Sequence, residues 1–338
     1  VKKNLTAIFL VVIFFMSGAA IADEKIRVAG FCAVGDVMLD RGVLKIMLEG
    51  GADYPFEKMT KFIKTNRLAF CNLECPISAT GEKRKKLFAF KCDPGMASGL
   101  VSSGFNMFSI ANNHTFDCGE KGLQETKQFI EKNGFFAAGA GSNATEAMKP
   151  RMININGLKI AFFAFTDIPV DLGKKEAGSS QPAMCSREEV LMEIKKARSK
   201  FDVVIISYHW GEEYMRRPYL YQKQLAHDMI DNGADLIIGH HPHVIQGIEK
   251  YKNKFIIYSI GNYIFDQKSD EETESFIFCC EFKQGGVYNP YLIPVKIYNC
   301  QPDFAHGKEF NKISNKIMKL SKGFNVKFIN QANGLIVE

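Results

Sequence analysis

Short β-branched and aromatic runs recur along the chain, and each gives way at its carboxyl end to a residue able to bind metal or move a proton. Residues 26–34 lead into Gly35-Asp36, 68–71 into Asn72-Leu73-Glu74, and 105–111 into Asn112-Asn113-His114. Residues 203–208 lead into His209-Trp210-Gly211, and 234–238 into Gly239-His240-His241-Pro242-His243. Runs of this length and composition predict strands. Helical spacing near 120–133, 187–200, 218–232 and 310–322 falls between strands, the order expected when helices cover a sheet. Residues 273–283 and 291–298 read as an antiparallel edge, and the stretch 171–180 as a surface loop suited to a lid.

In open α/β sheets, ligands bind in the crevice outside the carboxyl ends of the strands, where residues distant in sequence meet. Asp36, Glu74, Asn113, His114, His209, His241 and His243 are therefore candidates for a single cluster. An isolated His-x-His pair is common in exposed loops. Its recurrence with carboxylates and amides behind four other strands is what favours a site. Carboxylate, amide oxygen and imidazole together suit manganese, iron or zinc, as one or two divalent ions.

Six motifs follow one another: Gly35-Asp36-Val37-Met38-Leu39-Asp40-Arg41, Asn72-Leu73-Glu74, Ala111-Asn112-Asn113-His114, His209-Trp210-Gly211-x-Glu213-Tyr214, Gly239-His240-His241-Pro242-His243-Val244 and Gly261-Asn262-Tyr263-x-Phe265-Asp266. This ordered set resembles the CapA-type poly-γ-glutamate capsule biosynthesis proteins, from about residue 28 to the low 320s. That family is similar in turn to the calcineurin-like metallophosphoesterases. The resemblance implies a four-layer α/β/β/α sandwich with two central mixed sheets and a dinuclear site. Asp36 matches the first aspartate of that site, but Met38 stands where the histidine of Asp-x-His belongs, so one ion loses a nitrogen. Glu74 takes the place of the bridging aspartate, and Asn113 that of an oxygen ligand. His114 resembles the histidine that gives a proton to the leaving oxygen. His209 and His241 would complete one ion's shell and His243 the other's.

Other residues keep two readings. Asp40 either caps a helix or works in the site, and Arg41 beside it is a rim or substrate residue. Asp117 could orient His114 or cap the helix beginning near Glu120. Glu213, Arg216 and Arg217 form either a substrate-facing group or a solvated loop. Asn262 is expected at the rim.

Composition narrows the remaining choices. Lys2-Lys3, an apolar core over 5–15 and Ala20-x-Ala22 have the layout of a secretory signal peptide, leaving residues 23–338 as one domain with its core at 26–323. Export to the periplasm or cell surface follows, an uncleaved anchor being the alternative. The formal charge is +6, and loss of Lys2 and Lys3 leaves 6 − 2 = +4, too mild to indicate nucleic-acid binding. The basic run Lys83-Arg84-Lys85-Lys86 would nevertheless attract an anionic polymer. Nine scattered cysteines form no metal knuckle; Cys32, Cys71 and Cys279 read as core, and some of the others could pair. No Gly-x-Ser-x-Gly elbow or phosphate loop is present, which excludes serine hydrolysis and nucleotide-driven ligation by those devices. Two functions remain: a metal-dependent hydrolase of a phosphoester or polymer linkage in capsule or envelope assembly, and a non-catalytic factor for binding or exporting an anionic polymer. Either would work alongside membrane-bound capsule-assembly proteins.

Overall fold

The computed structural model describes residues 28–173 and 179–338. The signal-peptide segment and the middle of the expected lid lie outside the described residues.

Two mixed sheets face each other. In the first, strand Ala29–Val37 is followed on one side by the parallel strands Leu68–Leu73, Met107–Ser109 and Phe136–Ala138. On its other side lie the antiparallel strands Glu274–Lys283 and Gly286–Tyr298, then the hairpin Phe328–Gln331/Gly334–Val337. In the second, Leu158–Thr166, Val203–His209, Leu236–His240 and Lys254–Ile257 run parallel, with antiparallel strands Arg151–Ile155 and Ile248–Tyr251 at the edges.

The two-residue period of a strand sorts the apolar side chains into layers. Phe31 and Ala33 of the first sheet meet Ile160, Phe162 and Ala164 of the second in the central core. Cys32 and Val34 face outward against Val43 and Met47 of helix Arg41–Gly50 and Leu123 of helix Gly119–Lys132. Ala161 and Phe163 pack on the other side against Val190 and Ile194 of helix Arg187–Arg198 and Met229 of helix Leu220–Asp231. The result is the expected α/β/β/α order, with strands buried on both faces and therefore nearly continuously apolar.

Three details differ from the sequence reading. Strand Glu274–Lys283 is not at an edge: it pairs with Ala29–Val37 on one side and Gly286–Tyr298 on the other. The C-terminal hairpin extends the sheet past it, so the chain beyond residue 323 is part of the sheet. The first strand runs on to Val37, because Asn262–Ile264 pairs in parallel with its carboxyl end and brings Asp36 into register with Asn262. This close approach needs Gly35, where a Cβ would lie 1.8 Å from Gly261 O. All nine cysteines are free, so no pairing occurs. Burial pushes the Cys32 and Cys71 thiols well above their usual range, which disfavours thiolate.

Candidate metal centre

The parallel strands of both sheets end at the same crevice. The first sheet delivers Asp36, Glu74, Asn113 and His114 to it, and the second delivers His209, His241 and His243. Two groups of ligand atoms form there, each within 4.8 Å: Asp36, Glu74 and His209, and Glu213, His241 and His243. This division differs from the expected one, which set His209 beside His241. The two rings remain neighbours, with centroids 4.8 Å apart.

Buried amides and imidazoles hold the donors in place. Asp36 Oδ1 accepts from Asn72 Nδ2 at 2.9 Å and from His240 Nδ1 at 3.0 Å. Asn112 in turn donates to Asn72 Oδ1 at 3.1 Å and Leu73 O at 2.9 Å. His243 Nδ1 donates to Asn262 Oδ1 at 2.9 Å, which leaves Nε2 facing Glu74 Oε1 at 3.6 Å. His209 Nε2 and Asn113 Oδ1 are 2.8 Å apart, a hydrogen-bond distance and also close to the separation of two donors sharing one ion at about 2.0–2.1 Å.

Several atoms in this ring have no hydrogen-bond partner among the described residues although they are buried: Asp36 Oδ2, Glu74 Oε1, His241 Nδ1 and His240 Nε2. Orphaned acceptors and imidazole nitrogens are costly in an apolar surround, and a divalent cation satisfies such a set. His241 and His243 also adopt positive φ, 96° and 58°, a region uncommon for residues that carry a side chain. Gly239 permits the turn into them, since a Cβ there would lie 2.0 Å from Tyr258 O.

The electrostatics agree with a cation site. Burial holds His209 well below the usual histidine range and His241 at about 3, so both are neutral and able to coordinate. Burial would also lower His243, but Glu74 and Asp36 outweigh it and raise its pKa to about 9. Burial, with help from Asp36, raises Glu74, while Asp36 itself is lowered because the bond from His240 and the nearby charge of His243, 3.4 Å from Oδ2, overcome its burial. The His243 proton thus supplies the positive charge that an ion would bring.

His114 stands beside this group, its Nε2 3.9 Å from Glu74 Oε1 and its ring stacked on Phe90 at 4.0 Å. Its Nδ1 donates to Asp117 Oδ2 at 2.7 Å. Asp117 also accepts from Phe90 N at 2.7 Å and pairs with Lys86. It does not cap the following helix, whose cap residue is Cys118, because both its oxygens are engaged here. Asp40 does cap, accepting from Arg41 N at 2.7 Å, and pairs with Lys83 at 2.5 Å. The basic run therefore lies along the mouth of the crevice. Arg41 pairs with Asp266 and lies 4.8 Å over the Phe90 ring.

Asn262 is not at the rim, being fully buried beneath His243 by the pairing of its strand with Ala29–Val37. Glu213 reaches the cluster, whereas Arg216 turns to Glu271 at 3.1 Å and Arg217 is exposed. The sequence reading gave no role to Asn72, Asn112 or His240. Their signal was present, as polar residues inside the quoted motifs at strand ends.

A family model described as bacterial capsule synthesis protein PGA_cap matches residues 30–267. The capsule biosynthesis protein CapA of Bacillus anthracis is 32% identical over 279 residues, covering 80% of this chain and 67% of that protein. The PGA biosynthesis protein CapA of Bacillus subtilis (strain 168) is 30% identical over 305 residues, covering 87% and 80%. Among solved structures, the 5'-nucleotidase precursor from Thermus thermophilus is similar with a TM-score of 0.46 at 10% identity. That likeness covers 87% of this chain and 58% of the nucleotidase, so the chain spans little more than half of that protein. With its model matched over most of the length and two relatives at 30% identity or above, the chain belongs to the PGA_cap family of bacterial capsule synthesis proteins.

Proposed function

We propose that this protein is a metal-dependent hydrolase of phosphoester-like chemistry, exported from the cytoplasm and acting on an anionic envelope polymer such as poly-γ-glutamate, or on a phosphoester, during capsule assembly. The observation that carries this reading is the convergence of unpartnered buried donors, Asp36 Oδ2, Glu74 Oε1 and His241 Nδ1, beside a histidine anchored by a carboxylate.

Asp36, Glu74, Asn113, His209, His241 and His243 would hold one or two divalent ions. Such ions supply Lewis-acid charge and a water made nucleophilic near neutral pH. The chain's own residues do the rest. Asp117 accepts the Nδ1 proton of His114 and stabilises its imidazolium form, whose Nε2–H is the proton available to the leaving oxygen. Burial lowers the His114 pKa against the opposing pull of Asp117, making it a readier acid. Lys83 and Lys86, at the mouth, attract an anionic chain and orient it toward the donors. Membrane-bound capsule-assembly proteins are the natural partners of such an activity. Among the described residues no helix is long and apolar enough to cross a membrane.

A second reading, a polymer-binding or export factor without turnover, is favoured by Met38 in place of a ligand histidine. The two separate on bound metal and turnover. Plasma mass spectrometry of the purified protein should find one or two equivalents of manganese, iron or zinc, absent from a His241→Ala/His243→Ala variant. The loaded protein should then hydrolyse a chromogenic phosphoester or shorten polyglutamate. Metal without turnover on either substrate supports the binding factor, and no metal after reconstitution rejects the hydrolase.

A further inference from the structure

The residue at the Asp-x-His position, Met38, is fully buried in the layer between the first sheet and its helices, and its Sδ accepts from Asp40 N at 3.1 Å. It offers nothing to an ion. On the solvent side of the cluster, Glu213 places a carboxylate oxygen within 4.8 Å of ligand atoms of His241 and His243. Its loop is tied to the histidine turn, because Tyr214 N donates to Pro242 O at 2.8 Å and Gln267 Nε2 donates to the Tyr214 hydroxyl at 3.0 Å. An independent observation comes from His241, 6% exposed, whose Nδ1 is buried without a partner among the described residues.

We propose that Glu213 is a metal ligand, so that the outer ion is held by Glu213, His241 and His243, with Glu74 Oε1 between the two positions. The assignment rests on the metal-centre reading above and specifies its second half. Two consequences follow from the chemistry. A carboxylate beside the two imidazoles hardens the outer site, favouring manganese or ferrous iron over zinc. The inner position draws on Asp36, Glu74 and His209, all fully buried, whereas the outer one depends on an exposed loop residue, so the outer ion exchanges faster.

The test uses the purified protein, stripped with a chelator and reloaded with Mn2+ alone. Equivalents are counted by plasma mass spectrometry, and the spin coupling of neighbouring ions is read by electron paramagnetic resonance. Wild type should hold two coupled ions. Glu213→Gln and Glu213→Ala should keep the inner ion and bind the outer one more weakly by over ~10–100-fold, the loss typical of removing a group that merely supports a ligand. Glu213 is exposed, so the metal-free variants should melt at the wild-type temperature. Two ions held with unchanged affinity in both variants would overturn the assignment while leaving the metal centre standing, as would a single wild-type ion indifferent to both substitutions. No ion in the wild type overturns the metal centre and this assignment together.

Discussion

Asp117 Oδ2 accepts the Nδ1 proton of His114 at 2.7 Å, within a contact buried from solvent. If this pair delivers a proton to the leaving group, the two residues should affect rate and spare metal. His114→Ala is expected to lower kcat by about 10²–10⁴-fold. Asp117→Asn, which keeps the shape but spoils the tautomer, should cost about 10–100-fold. Turnover of a chromogenic phosphoester and metal content, measured on the same samples, check both; wild-type kcat in the two variants would remove the proton donor from the scheme.

His240 is tied to Asp36 Oδ1 at 3.0 Å from the last position of its strand. His240→Gln should loosen the aspartate and weaken the inner ion by about 10–100-fold, as supporting residues around metal ligands do. Competition with a chromophoric chelator measures this, and an unchanged affinity would mean that Asn72 alone suffices to hold Asp36.

The pKa of His243, about 9 in the metal-free protein, sets opposite pH trends for two measurable quantities. A histidine whose folded pKa is raised contributes stability fully below its unfolded value of about 6.5 and loses it as pH rises through 9. Glu74, also raised, contributes in the same direction from lower pH. His209 and His241, both lowered, contribute their pH dependence below about 6.5. The metal-free protein should therefore melt at falling temperature between about pH 6.5 and 9. Metal must displace the His243 proton, so metal affinity should rise over that window, by up to about tenfold per pH unit. Calorimetry in buffers of different ionisation enthalpy would count the released proton, and zero release would contradict the scheme.

Gly239→Ala places a Cβ 2.0 Å from Tyr258 O, between strands that cannot separate without opening the second sheet. The cost should be more than ~1 kcal/mol, with the histidine turn displaced. A lower melting temperature together with reduced metal content is the expected result; full metal retention would show that the turn relaxes independently of the strand.

The crevice was legible because strands buried on both faces must be apolar throughout, so a carboxylate or imidazole at a strand end stands out. Asp36, Glu74, His209 and the 241–243 pair all announce themselves in this way. The support beneath them does not. Asn72, Asn112 and His240 act through hydrogen bonds spanning 36, 40 and 204 residues, and no local spacing encodes such a partner. Asn262 was placed at the rim for the same reason: its burial depends on pairing with a strand near the other end of the chain. The central position of Glu274–Lys283 was equally hidden, since alternation shows which face of a strand is buried and says nothing about its neighbours.

The donors at the crevice come from two sheets, Asp36, Glu74 and Asn113 from one and His209, His241 and His243 from the other. The inner group, Asp36 and Glu74 from one sheet and His209 from the other, spans the two, so the proposed inner ion would close the seam between them like a clasp at one end of the sandwich. Chelation should accordingly speed amide exchange at the carboxyl ends of both sets of strands and leave their opposite ends protected. Because such a clasp could fasten only after the halves have docked, capture of the proposed inner ion would come late in folding, and that ion would be drawn from whichever compartment the two sheets meet in.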